Sequence, residues 1–293
     1  MRWRPAERSD LGWIETVLFE HLQGSMFLIG NLRAHGLGPQ RRAAPPHALT
    51  LWVRPGLDGV FGITTAGTVL MMCPAAEASD WRAAGRLLAG RAVTAVLGDA
   101  PQVRGFLAAN ELQSHPCQLD SDDPGFLLDL TELRAEIRAD EDIVPLGDAP
   151  RALMEAWRTA YEIEAVGATP EAAAPKARAD IADFVAQDSH RVLLHQGEPV
   201  AMTGFNLILP EAVQVGGVYT PPALRGRGYA RRVVGRHLCE ARARGASRAV
   251  LFAASEAAAR AYRAVGFQSA GTYALVLFSW PAQTCAASVE GCT

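Results

Sequence analysis

Apolar residues recur at helical spacing from Leu11 through Ile14, Leu18 and Leu22, behind an N-cap candidate at Ser9 or Asp10. A second helix is predicted over 25–35, stopped by Gly36, and a proline-rich loop over 40–47 follows. Three strand-like runs come next, at 49–54, 60–65 and 68–73, rich in β-branched and aromatic residues and separated by glycine turns. The pattern then gives a helix over 80–89, a strand over 92–97, a helix over 101–109 and a strand-like run over 118–130. Turn residues at 121–125 are expected to interrupt that last run.

The second half reads the same way. Asp148 caps a helix that carries Leu153, Trp157 and Tyr161 on one face, and Thr169-Pro170 opens another that runs through Phe184. A hairpin over 190–195 and 200–209 turns at Gln196-Gly197-Glu198, and a third strand covers 213–220. A helix over 229–244 places Ala230, Val233, Val234, His237, Leu238 and Ala241 on one stripe, and Gly245 ends it. Strand 248–253, helix 256–265 and strand 267–279 complete the order. Each half therefore reads helix, helix, three strands, helix, strand, helix, strand. The repetition predicts a duplicated α/β fold with domains at 1–130 and 148–280, a charged linker over 131–147 and a small-residue tail over 281–293.

Chemistry concentrates between Val213 and Ala230. A β-branched strand ends at Pro221-Pro222, which have no N–H to continue a ladder. Arg225-Gly226-Arg227-Gly228-Tyr229-Ala230 then leads into the helix. A helix N-terminus offers unpaired N–H groups and partial positive charge, glycines let the backbone approach an anion, and arginines add charge. The stretch is a phosphate cradle. It is not a P-loop, since G-x-x-x-x-G-K-[ST] is missing, and Arg231 stands where a dinucleotide fingerprint needs Gly or Ala.

The pattern R-x-x-G-x-A at Arg225, Gly228 and Ala230, preceded by VYTPP, resembles the acetyl-CoA loop of the GNAT N-acetyltransferases. The same family places a tyrosine just before a Gly-Phe pair, as Tyr262 stands before Gly266-Phe267. The resemblance covers 148–279 and implies an α/β fold with a mixed sheet, here as two tandem GNAT-like domains. It also implies an acyltransferase that moves an acetyl group from acetyl-CoA directly to an amine. Main-chain groups of Val218, Tyr219 and Thr220 would hold the pantetheine and polarise the thioester. Arg225, Gly226, Arg227, Gly228, Tyr229 and Ala230 would hold the pyrophosphate. Tyr262 would act as general acid, because a phenol stays protonated at neutral pH. Ser255 stands where the family commonly has asparagine; it can cap the helix and offer a hydroxyl. Glu164, at the end of the Leu153/Trp157/Tyr161 face, is the candidate base, while Glu162 is expected in solvent.

Equivalent places in the first half differ. Pro74–Asp80 has no glycine and carries Glu77 and Asp80, and Phe106 stands where the second half has Tyr262. The first domain is expected to bind no CoA and to have a structural or acceptor-shaping role.

Composition narrows the partners. With 49% hydrophobic and 20% charged residues and a net charge of −3, the chain is globular, and neither nucleic acid nor a membrane is expected as partner. Five scattered cysteines without C-x-x-C argue for a reducing compartment, hence the cytoplasm, and against a metal cluster. The opening residues lack an apolar segment, so no secretory leader is expected. His237 is expected as a satisfied core histidine, and the other histidines show no ligand spacing. The expected partners are a small-molecule, amino-acid or peptide amine and a second copy of the chain in a homodimer. Two other functions stay open: a non-catalytic CoA sensor, and an aminoacyl transferase that uses charged tRNA.

Overall fold

The computed structural model describes residues 3–37, 44–56 and 59–284. The chain forms two compact units, one from 1–123 with 272–293 and the other from 124–271. Residues 40–43 of the expected proline-rich loop, and 285–293 of the expected tail with Cys285 and Cys292, lie outside the described residues.

In the first unit β1 (Arg4–Pro5) pairs antiparallel with β2 (Leu49–Arg54), after α1 (Leu11–Glu20) and α2 (Leu22–His35). β2, β3 (Gly59–Thr64) and β4 (Thr68–Met72) form a meander. α3 (Ala78–Leu87) then crosses over, so that β5 (Val93–Asp99) lies parallel to β4, and α4 (Ala100–Ala109) follows. The core gathers Phe61, Val69, Trp81, Val96 and Phe106. Its last strand comes from the far end of the sequence: 273–282 pairs with β5.

In the second unit β7 (Glu141–Pro145), β8 (His190–His195), β9 (Glu198–Ile208) and β10 (Ala212–Tyr219) are antiparallel neighbours, and β11 (Arg248–Phe252) is parallel to β10. The outer neighbour of β11 is 125–129, the end of β6 (Cys117–Asp129). Side chains alternate across this sheet. One face takes Leu193, Ala201, Phe205, Val213 and Val215 against α7 (Tyr229–Ala243) and α8 (Glu256–Val265). The other takes Val192, Met202 and Tyr219 against α5 (Arg151–Val166) and α6 (Pro170–Ala186). Thr169 caps α6 through Ala172 N–H, with Pro170 as first residue, while α5 starts after Pro150 rather than at Asp148.

Three expectations change. The run through 121–125 is uninterrupted strand, and Pro124 lies within it. Part of the expected linker is β7, whose Glu141 is buried. β6 and β12 (Gln268–Ala282) are divided between the units, with boundaries after 123 and 271 rather than at 130 and 280. Both are long, 13 and 15 residues, and period-two alternation says nothing about which neighbour a strand meets.

Candidate active site

The site begins where two parallel strands part. β10 pairs with β11 only over Ala212–Gln214 against Arg248–Val250. Beyond that the strands diverge. On its other side β10 matches Gly216 to Gly204 and next Tyr219 to Met202, so Gly217 and Val218 bulge out of register. Gly217 has φ 59°, a conformation that disfavours a side chain, and a Cβ there would lie 3.0 Å from His190 Nε2. Neither strand neighbour claims these two residues, and both line a cleft of about 790 Å³.

At the end of β10, Pro221 and a short turn at Pro222–Leu224 lead into the loop. Gly226 and Gly228 both have φ 78°. The first bond that closes α7 runs from Arg232 N–H to the Gly228 carbonyl, and no side chain caps the helix. The N–H groups of Tyr229, Ala230 and Arg231 are thus unused by the helix. Thr220 Oγ1, also at the cleft, is buried without a hydrogen-bond partner. An orphan hydroxyl, a bulged strand and an uncapped N-terminus fit a ligand with amide groups at one end and an anion at the other.

Side chains complete the walls. Tyr262 on α8 is 6% exposed and lines the cleft. Burial, with the Tyr161 phenol adding to it, pushes its pKa far above the ordinary value, so the proton stays on. Arg225 Nη2 contacts Glu164 Oε2 at 2.6 Å, and Arg225 Nε donates to the Thr220 carbonyl at 2.9 Å. Tyr219 OH donates to Glu164 Oε1 at 3.4 Å; burial, then Glu164, raises the Tyr219 pKa. Arg231 is held by Glu136 at 2.8 Å, and Arg260 lines the cleft from α8.

The stretch 151–267 matches the Acetyltransferase (GNAT) family. This part of the chain is similar to a GNAT domain. The full chain is similar in fold to a tandem GNAT protein from the clavulanic acid biosynthesis pathway, at 17% identity and TM-score 0.52, over 98% of this chain and 99% of that one. It is also similar to a GCN5-related N-acetyltransferase from Kribbella flavida, at 15% identity and TM-score 0.52, over 87% and 93%. A Drosophila protein matches at 9% identity and TM-score 0.59, over 94% and 98%. No curated protein matches the chain. With the repeated element order of its two units, the chain is a tandem of GNAT-like folds.

Of the residues expected at the site, Val218, Tyr219, Thr220, Arg225, Gly226, Gly228, Tyr229, Ala230, Ser255, Tyr262 and Glu164 line one cleft of the GNAT-like domain. Arg227 does not; its carbonyl turns inward to Arg232 Nη1 at 3.0 Å. Ser255 caps α8 by accepting from Ala258 N–H. Glu162 is not solvated: it is 1% exposed and paired with Arg158 and Lys176. His237 is buried but not satisfied, since both ring nitrogens lack hydrogen-bond partners and the ring stacks on Phe205. The sequence reading missed Tyr161 as a cleft residue, assigning it to the apolar face of α5. It also missed Arg232 and Glu141, which pair across 91 residues. Only the Gly216-Gly217 doublet inside a strand signalled the bulge.

The corresponding place in the first unit holds a cleft of about 610 Å³, lined by Pro74, Ala76, Ala78, Gln102 and Gly105 among others, but its walls are built differently. β4 stays paired with β5 over Thr68–Met71, to the next-to-last residue of β4. The N-terminus of α3 carries a capping box, in which Glu77 and Asp80 side chains take backbone N–H groups. Gln102 accepts the Cys73 N–H at 2.6 Å, and Phe106 packs on Trp81.

Proposed function

We propose that the GNAT-like domain is an acetyl-CoA-dependent N-acetyltransferase acting on a primary amine of a small molecule, amino acid or peptide. One observation carries the reading: an opened strand pair, an uncapped helix N-terminus and a buried neutral phenol meet in a single cleft. The coenzyme, when bound, supplies an acyl group activated as a thioester. N–H groups between Gly226 and Ala230 hold its pyrophosphate. Val218 and Thr220 main-chain groups, with Thr220 Oγ1, hold its amides. The N–H of Val218 or Tyr219 stabilises negative charge as it grows on the thioester oxygen. The amine nitrogen attacks the thioester carbon, the C–S bond breaks, Tyr262 gives its proton to the departing sulfur, and the proton shed by the nitrogen returns to the phenol through solvent.

Glu164 takes a different role from the expected base. It is the sole carboxylate among the described residues that line the cleft, and both its oxygens already accept hydrogen bonds. We assign it to holding Arg225 and the end of β10 in place. The first unit, with the N-terminus of α3 capped by its own carboxylates, binds no CoA. The assigned location is the cytoplasm; among the described residues no helix is long and apolar enough to cross a membrane.

The test is thiol release from acetyl-CoA across an amine panel, for wild type and Tyr262→Phe. The phenylalanine variant should lose about 10²–10³ in kcat while its CoA affinity stays within about threefold. Tight CoA binding with no thiol release from any amine would end the transfer reading.

A further inference from the structure

Arg232 is the largest fully buried side chain among the described residues, at 1% exposure. Its Nε and Nη2 grip the Glu141 carboxylate at 2.7–3.0 Å, and Glu141 is 3% exposed. The guanidinium lies 4.9 Å from the Tyr229 ring centroid. Arg236 Nη1 donates to the Glu141 carbonyl at 2.6 Å, fixing the strand that bears the carboxylate. Two other groups face the pair: Glu136, 4.0 Å from Arg232 Nη1, and His195, 3.8 Å from Glu141. A buried ion pair is a poor device for stability, because apolar residues of similar volume often serve as well or better. Its use must therefore be sought in geometry.

One nitrogen is left over from the grip on Glu141. Arg232 Nη1 reaches the Arg227 carbonyl at 3.0 Å. The peptide joining Arg227 to Gly228 is planar and trans, so its N–H points opposite to its carbonyl. Tethering the carbonyl inward turns the Gly228 N–H outward. Gly228 lines the cleft.

We infer that the Arg232–Glu141 pair positions the phosphate loop, by holding the Arg227 carbonyl so that the Gly228 N–H faces a bound diphosphate. Arg232 is a positioning residue and touches no reacting atom. Glu141 neutralises it and fixes its orientation from the neighbouring strand. The inference rests on the coenzyme reading above.

The test separates positioning from stability. The double variant Arg232→Met/Glu141→Leu replaces the pair with apolar residues of similar volume, and Arg232→Lys keeps the charge without the fork. Each full-length protein is titrated calorimetrically with CoA, melted, and assayed with acetyl-CoA. The double variant should melt at or near the wild-type temperature yet bind CoA about tenfold more weakly (~1.4 kcal/mol). Its defect in turnover should appear in KM for acetyl-CoA, with kcat within about threefold. Arg232→Lys should bind CoA similarly weakly, and it decides the matter if the double variant does not fold. Wild-type CoA affinity in either folded variant overturns the inference. A wild-type protein that binds no CoA overturns the coenzyme reading instead.

Discussion

Two glycines with one backbone conformation and different surroundings allow a quantitative test of the loop. Gly226 and Gly228 share φ 78°. Giving either a Cβ costs about 1 kcal/mol in left-handed strain. At Gly226 the new methyl meets nothing within 4 Å, so strain is the whole cost. At Gly228 it falls 2.9 Å from Arg232 Nη1 and 3.1 Å from Arg231 Nε. Arg232 cannot swing away without releasing the Arg227 carbonyl or Glu141. Losing that hydrogen bond adds about 1–2 kcal/mol. Gly226→Ala should therefore lower Tm by roughly 3 °C and Gly228→Ala by roughly 6–9 °C, at about 3 °C per kcal/mol for a unit of this size. CoA at a hundred times its wild-type Kd should stabilise the wild type by about 2.7 kcal/mol. Gly226→Ala should keep most of that gain and Gly228→Ala little of it. Scanning calorimetry with and without CoA reads both quantities. Equal losses at the two positions, or the reverse order, would refute the argument.

Two further outcomes follow from buried and half-buried charge. Burial, with Arg158 nearby, pushes the His190 imidazole down to about 3. Its neutral form contributes stability that is complete above the ordinary value and is lost as pH falls from about 6.5 toward 3. At pH 5 the loss should be about 2 kcal/mol, measured as the difference between wild type and His190→Gln in urea melts at pH 7 and pH 5. Identical pH slopes would remove His190 as the cause. Glu164→Gln breaks a contact between side chains that are 41% and 50% exposed. Stability should change by less than about 1 kcal/mol, and kcat by less than about threefold. A loss of about 10²-fold with the acidic limb of the pH profile gone would make Glu164 the proton acceptor after all.

The amphipathic periods of α7 and α8, the hairpin of β8 and β9, and the caps at Thr169 and Ser255 were legible because each depends on neighbours a few residues apart. So was the loop: glycines at left-handed positions before an uncapped helix are local facts of the chain. The two carboxylates of the first unit also announced themselves, and they cap α3 as local geometry allows.

What the chain could not say concerned partners far away in sequence. Tyr161 fits an apolar stripe equally well whether it meets core or cleft, and only the opening beside β10 decides. Glu141 looked like linker charge and Glu162 like solvated charge; Arg232 meets the first from 91 residues away, and the second is buried where α6 brings Lys176 to it beside Arg158 of its own helix. β6 and β12 read as strands from their composition, yet alternation fixes only which residues share a face. Which sheet a strand completes is settled by the free edge it reaches in three dimensions.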